Sequence, residues 1–419
     1  MRVTLESGTL RGTAAAPPSK SMAHRMLICA ALAEGESLVR PIETSEDILA
    51  TSDGLRALGA RIEAEGDGLR VAGCRPAEAK ESVIPCRESG STLRFLLPLC
   101  LLNGRAMKLT GSGRLMSRPL DVYESLCAEK GFRLERTPES ITVQGKLEPG
   151  EYTVRGDLSS QFITGLAYAL SLLPGESVIR ILPPIESESY LRMTLQAMNA
   201  CGVQAERPEA EILRIPGGAR YRAGEKAVEG DWSNAAFFEA LAAAGDPVEV
   251  TGLREDSLQG DKICREYFRR IREGNACVDV TDCPDLAPVL MAFAAMQGGA
   301  RLTGTRRLRF KESDRGIVMA EELAKFGTPV EIGDNEITVG GGTLKTPAEI
   351  LQGHNDHRIV MALAVLCTRT GGTIEGAEAV RKSFPGFWEV FHALGARAAA
   401  MPADKGEFAG WNGLKTKRS

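Results

Sequence analysis

Pro18-Ser19-Lys20-Ser21-Met22-Ala23-His24-Arg25, an apolar run to about Ala33, then Gly35-Glu36-Ser37-Leu38-Val39, forms a unit that the chain writes six times. Each copy has a small polar cluster, an apolar helix, a glycine-containing turn and a short strand-forming run. The second begins at Glu88-Ser89-Gly90-Ser91 and the third at Gly156-Asp157-Leu158-Ser159-Ser160. The fourth begins at Gly230-Asp231-Trp232-Ser233, the fifth at Cys283-Pro284-Asp285 and the sixth at Asn355-Asp356-His357-Arg358. With Ser19, Ser89, Ser159, Asp231, Asp285 and Asp356 as markers, the steps are 70, 70, 72, 54 and 71 residues. That period is too long for a solenoid and suits a compact βαβ-type unit with extra strands. Alternating strands and helices predict the α/β class. Three units per domain predict two similar domains, residues 15–228 and residues 1–14 with 229–419. Met1–Ala14 reads as a strand segment that packs with the last unit, so that two crossings join the domains.

At 419 residues the chain is too long for one ordinary core. Its 51 Lys+Arg against 55 Asp+Glu give a net charge of −4, so no basic excess draws it to nucleic acid or an anionic membrane. Anion binding must come from locally placed cations. The cluster Lys415, Lys417 and Arg418 reads as a solvated tail. Ten cysteines without a Cys-x-x-Cys pair read as reduced thiols of a cytoplasmic protein, several of them small core residues, and none has zinc-ligand spacing. The run Met26–Ala33 is too short and too far from Met1 for a signal peptide, and no apolar run approaches the ~18 residues of a membrane span.

Polar residues recur where the helices begin, and helix N-termini offer free N–H groups and a positive dipole end. Plain N-capping explains most of these Ser and Asp residues equally well. Ser21 and Arg25, spaced i, i+4, share a face, and with Lys20 they present two cations and a hydroxyl. Gly113-Arg114-Leu115-Met116-Ser117-Arg118-Pro119 is a loop with two arginines, whose glycine permits close backbone approach. Lys311-Glu312-Ser313-Asp314-Arg315 reads either as a solvated charged turn or as an acid/base carboxylate whose pKa is tuned by cations. Asn355-Asp356-His357-Arg358 opens a helix as an N-terminal anion site, and Lys382 lies in Arg381-Lys382-Ser383-Phe384-Pro385.

Together, Ser19-Lys20-Ser21…Arg25, Gly90-Ser91…Arg94, Gly113-Arg114…Arg118-Pro119, Ser159-Ser160-Gln161, Lys311–Arg315 and Asn355–Arg358 resemble the 5-enolpyruvylshikimate-3-phosphate synthase family over nearly the whole chain. The resemblance implies two domains of three repeated α/β units, an inverse α/β barrel. It implies transfer of the enolpyruvyl group of phosphoenolpyruvate to the 5-hydroxyl of shikimate 3-phosphate with release of phosphate, by addition and elimination, on the route to chorismate. It also implies sensitivity to glyphosate, for which Gly90 leaves room. No metal or organic cofactor is expected, and the partners are the two small substrates of a cytoplasmic monomer, with no nucleic acid and no membrane.

By the same resemblance, Lys20, Ser21, Arg25, Ser159, Ser160, Gln161, Ser187, Asp285 and Lys311 hold shikimate 3-phosphate. Lys20, Gly90, Arg114, Gln161, Arg315, Arg358 and Lys382 hold phosphoenolpyruvate. Asp285 takes the proton of the attacking hydroxyl, and Glu312 protonates the methylene carbon with Lys20 assisting. Tyr190 borders the shikimate ring. Two positions depart from the family pattern: Arg307 and Glu88 both replace common asparagines, so no role is carried to Arg307, and the added carboxylate of Glu88 is expected to alter the phosphoenolpyruvate pocket or its response to glyphosate. Two other readings are a sibling transferase acting on UDP-N-acetylglucosamine and a six-unit binding scaffold. The Lys20-Ser21…Arg25 and Ser159-Ser160-Gln161 signatures favour the shikimate branch over the first. Cations and acids at matching positions of several units argue against the second.

Overall fold

The computed structural model describes residues 1–274 and 276–401, so the basic cluster at Lys415, Lys417 and Arg418 lies outside the described residues. Twelve α-helices run through the described residues. The first six are α1 (Lys20–Ala31), α2 (Glu46–Ala57), α3 (Gly90–Cys100), α4 (Asp121–Lys130), α5 (Ser160–Ser171) and α6 (Glu188–Ala200). The others are α7 (Trp232–Ala243), α8 (Cys264–Glu273), α9 (Ala287–Met296), α10 (Arg315–Lys325), α11 (His357–Thr370) and α12 (Phe387–Ala393).

The polar clusters that open the units are mostly caps. Ser19, Ser89, Ser159, Asp231 and Asp356 each accept a backbone N–H from the first turn of α1, α3, α5, α7 and α11. Each such cap stabilises its helix by about 1 kcal/mol. Asp285 is the exception: it sits in the 3-10 turn Pro284–Leu286 ahead of α9 and caps nothing, which leaves its carboxylate for other partners.

The second unit shows the plan of the four-stranded sheets. Strand Val83–Pro85 leads through α3 to the parallel strand Met107–Thr110, and α4 leads to the antiparallel hairpin Arg133–Arg136 and Ser140–Gln144. The helical crossover is what allows the parallel pair. The third and fifth units repeat this order from Glu151–Arg155 and Ala276–Asp279. Other units complete their sheets with distant segments. The leading strand of the first is Tyr221–Ala227, parallel to Ala33–Arg40. Arg2–Leu5 lies antiparallel between Gly372–Glu375 and Ala398–Met401 of the sixth, and Gly12–Ala15 runs parallel to Val248–Thr251 of the fourth. The sheets stay separate, and none closes into a barrel among the described residues.

Nearly every residue of α1, α3, α5, α7, α9 and α11 is buried, as suits helices that are apolar all round. Two apolar cores result. One draws on residues from Met22 to Val228, the other on Val3, Leu5, Leu10 and Ala14 together with residues from Trp232 to Ala396. Where the chain passes between them its two strands lie side by side: Ser19 N–H donates to the Glu229 carbonyl (2.7 Å) and Asp231 N–H to that of Pro17 (2.8 Å). All ten cysteines are unpaired thiols, and the Met26–Ala33 run is buried, largely within α1. Among the described residues, no helix is long and apolar enough to cross a membrane.

Candidate active site

Five of the six buried unit helices deliver their N-terminal residues to one cleft. Lys20 and Ser21 come from α1, Gly90 and Ser91 from α3, and Ser159, Ser160 and Gln161 from the start of α5. Asp285 precedes α9 and His357 begins α11. The sixth contributes indirectly, since Asp231 at the start of α7 accepts the Lys20 backbone N–H at 2.9 Å.

On one wall, Lys20 Nζ pairs with Asp47 at 2.8 Å. Arg25 is buried and donates to Thr194 Oγ1 and to the carbonyls of Ser21 and Tyr190 at 2.8–3.0 Å. None of these partners is a carboxylate, so its charge stays uncompensated while its geometry is fixed. Burial lowers its pKa from the usual arginine value. Gln161 is held between Arg94, which donates to its Oε1 at 2.8 Å, and Ser91 Oγ, 2.9 Å from its Nε2. A Cβ on Gly90 would lie 2.5 Å from Arg118 Nη1 and 3.3 Å from Arg94 Nη1, so the missing side chain is what lets these two guanidiniums approach the α3 N-terminus.

The opposite wall is organised by Arg315, whose side chain is 1% exposed. It donates to Asp285 (2.7 Å), Glu312 (2.7 Å) and Asp356 (2.8 Å). Asp285 also meets Lys311 at 3.0 Å and Arg358 at 3.4 Å. Burial pushes the Asp285 carboxyl up, but Lys311, Arg358 and Arg315 more than offset this and hold it well below the usual carboxylate range. Glu312 is likewise raised by burial and brought well below its ordinary value by Arg118 first, then Arg315 and Lys20. Arg118 reaches it across the cleft at 3.0 Å. The lining residues comprise seven cations (Lys20, Arg25, Arg94, Arg118, Arg307, Lys311 and Arg315) against the carboxylates Asp47, Asp285 and Glu312, a local excess of four positive charges in a chain of net −4.

Of the residues singled out from sequence, Lys20, Ser21, Arg25, Gly90, Ser159, Ser160, Gln161, Ser187, Asp285, Lys311, Glu312 and Arg315 line the cleft, as does Tyr190. Arg358 lies behind it, buried and touching Asp285. Lys382 is outside the lining, its Nζ bonded to Glu88 (2.6 Å) and the Asn355 carbonyl (2.7 Å). Arg114 is exposed and is not among the lining residues, whereas Arg118, four residues on, is. The 3-10 turn Leu115–Ser117 lies between the two and turns only the second inward. The close approach at Gly113 is likewise made by the chain itself, because a Cβ there would meet Glu88 Oε1 at 2.8 Å and its φ is +58°.

Sequence reasoning gave no individual role to several lining residues, and His357 enters there only as part of the Asn355–Arg358 anion site. Arg307 is buried and donates to Ser187 Oγ at 2.8 Å and the Thr281 carbonyl at 2.6 Å. Asp47 carries no motif that would mark it. His357 is 1% exposed with both ring nitrogens unpartnered, and burial followed by the Lys20 and Arg358 charges drives its pKa well below the ordinary histidine value. A neutral imidazole with a free donor beside this many cations is available to a bound anion.

The family model described as EPSP synthase (3-phosphoshikimate 1-carboxyvinyltransferase) matches residues 5–391. A Clostridium kluyveri protein named 3-phosphoshikimate 1-carboxyvinyltransferase is 39% identical, the match covering 94% of this chain and 97% of that one. A Clostridium perfringens protein of the same name is 37% identical over 94% and 98% of the respective chains. The solved structure of EPSP synthase from Acinetobacter baumannii shares the fold at a TM-score of 0.75, with 23% identity over 95% of this chain and all of that one. On the breadth of these matches the chain belongs to the EPSP synthase family.

Proposed function

We propose that the chain transfers the enolpyruvyl group of phosphoenolpyruvate to the 5-hydroxyl of shikimate 3-phosphate and releases phosphate, in the biosynthesis of aromatic compounds. The observation that carries this reading, beyond family membership, is the Arg315 cluster, in which one buried guanidinium holds both Asp285 and Glu312 at the edge of a strongly cationic cleft. Each substrate brings roughly −1.5 to −2 from its phosphate and a further charge from its carboxylate. Two such anions repel one another unless fixed cations surround both, and the local excess of four positive charges suits that task.

Shikimate 3-phosphate is assigned to Lys20, Ser21, Arg25, Ser159, Ser160, Gln161, Ser187, Asp285 and Lys311. Arg307 joins the set because it meets Ser187. Phosphoenolpyruvate is assigned to Lys20, Gly90, Gln161, Arg315, Arg358 and Lys382, with Arg118 in the place first given to Arg114. Asp285 takes the proton of the 5-hydroxyl as its oxygen attacks C2 of phosphoenolpyruvate, and Glu312, assisted by Lys20, gives a proton to C3. The tetrahedral adduct then loses phosphate from C2 and a proton from C3 to restore the enol ether. Both carboxylates are clamped by cations of the chain, which makes Asp285 a weak base and leaves Glu312 ionised, with no proton to give, as they stand. Substrate anions that draw Lys311, Arg315 and Arg118 toward themselves raise both carboxyls toward the working range.

We assign the two walls to bodies 15–228 and 1–14 with 229–419, closing around the substrates. One chain supplies both walls, which supports a monomer. Ten unpaired cysteines suit the reducing cytoplasm. The test mixes the protein with phosphoenolpyruvate and either shikimate 3-phosphate or UDP-N-acetylglucosamine. Phosphate release with the first acceptor is expected, and release only with the sugar nucleotide overturns the reading. Near-normal turnover by Asp285→Ala would remove Asp285 as the base.

A further inference from the structure

Tyr190, on α6, stands between two carboxylates. Its Oη is 3.4 Å from Asp285 Oδ2 and 3.3 Å from Asp261 Oδ2. Asp261 lies in the 3-10 turn Gly260–Ile263 and is 2% exposed. Its other oxygen accepts from Ser233 Oγ at 3.0 Å, so its hydrogen-bond partners are hydroxyls, whereas Asp285 is contacted by Lys311, Arg315 and Arg358.

A phenol has one hydrogen to donate and cannot satisfy two ionised carboxylates. If both contacts are hydrogen bonds, one carboxyl carries a proton and donates it to the phenol oxygen. Asp285, with three cations, is the one that stays ionised. We infer that Asp261 holds this proton and acts as a positioning residue, donating to Tyr190 Oη so that the Tyr190 O–H in turn donates to Asp285. The inference rests on Asp285 being the base. Its consequence is a base with Oδ1 held by Lys311 and Arg315 and Oδ2 set between Arg358 and the neutral chain, instead of a base facing a second buried negative charge.

The surroundings agree. The groups facing Asp261 are Asp231 and Ser233 from the start of α7, Tyr190 from α6, Cys264 from α8, Cys283 and Asp285 ahead of α9, and Arg358 from α11. Among these Arg358 is the cation, and its charge is shared with Asp285 and Asp231. Burial first, and the Asp285 charge second, push the Asp261 carboxyl up to about 7. A raised acid is protonated below its pKa and ionised above it, so the chain is intact on the acid side and broken on the alkaline side.

The test is the pH profile of kcat/KM, which reports groups of the free enzyme. It is read by phosphate release with phosphoenolpyruvate and shikimate 3-phosphate. The wild type is expected to show an alkaline fall that Asp261→Asn lacks, because an amide keeps donating at every pH. Asp261→Ala is expected to lower kcat on the order of tenfold, the worth of a hydrogen bond to a charged group, and Asn to rescue that loss. In a Tyr190→Phe background, Asp261→Asn should change nothing further. An alkaline fall retained by Asp261→Asn, or an Asn variant as slow as Ala, overturns the inference. Should Ala not fold, the infrared carbonyl band of a protonated carboxyl at neutral pH must be present in the wild type and lost in Asp261→Asn; its persistence in Asn overturns the inference. Near-normal turnover by Asp285→Ala would refute the base assignment separately, and the infrared band would still report where the proton sits.

Discussion

Removing the guanidinium of Arg118 should damage phosphoenolpyruvate turnover, whereas removing that of Arg114 should not. Arg118 is buried, pairs with Glu312 at 3.0 Å, and has its second nitrogen in the space that Gly90 leaves open. A lost hydrogen bond between charged groups costs about 1.5–3 kcal/mol, or roughly 10- to 150-fold in kcat/KM for phosphoenolpyruvate in Arg118→Ala. Arg118→Lys keeps the charge but loses the planar fork, and should fall between wild type and Ala. Because Arg118 is the foremost of the cations that hold the Glu312 carboxyl down, its loss should also move the alkaline limb that Glu312 sets as proton donor to higher pH. Arg114 is exposed, so Arg114→Ala should stay within about ±0.5 kcal/mol, close to twofold. The assay varies phosphoenolpyruvate at saturating shikimate 3-phosphate, with thermal unfolding run alongside to separate a lost contact from a lost fold. Equal losses in Arg118→Ala and Arg114→Ala, or a larger loss at Arg114, would refute the reasoning.

Gly90→Ala places a methyl 2.5 Å from Arg118 Nη1, so the KM for phosphoenolpyruvate should rise while that for shikimate 3-phosphate holds; initial-rate kinetics with each substrate varied checks this. Glu88→Gln neutralises the partner of Lys382 and should tighten phosphoenolpyruvate binding by up to about fivefold, the worth of a partly exposed ion pair. Calorimetric titration showing weaker binding would assign Glu88 a supporting role instead. Asp285 and Glu312 have depressed folded-state values, so the stability they contribute is present above their ordinary pKa values of about 3.9 and 4.3 and is lost as pH falls through the folded ones. Acid unfolding followed by circular dichroism should therefore begin at a higher pH in Asp285→Asn, with a shallower dependence on pH, because the variant lacks the ionised-state stability throughout.

The unit helices and most of their starting points were legible because capping is local chemistry: a Ser or Asp beside the first turn satisfies that turn whatever surrounds it. The break in that rule at Asp285 was not legible, since only the 3-10 turn before α9 shows that its carboxylate caps nothing. Arg114 and Arg118 look alike in the chain, and a single 3-10 turn decides which one faces inward. Strand Tyr221–Ala227 completes the first sheet and Arg2–Leu5 the sixth by pairing over distances that no local pattern encodes.

What the sequence determined by itself is therefore the repeated unit, the α/β class and the residue types gathered at the helix starts, because periodicity and capping act within a few residues. What only the tertiary structure decided is which charges neutralise one another. Arg315 joins Asp285, Glu312 and Asp356, Arg118 reaches Glu312 from the other wall, Glu88 takes Lys382, and Tyr190 links Asp285 to Asp261. These pairings follow from how five buried helix N-termini converge, and electrostatic energy depends on distance and burial, which appear only once the helices are packed.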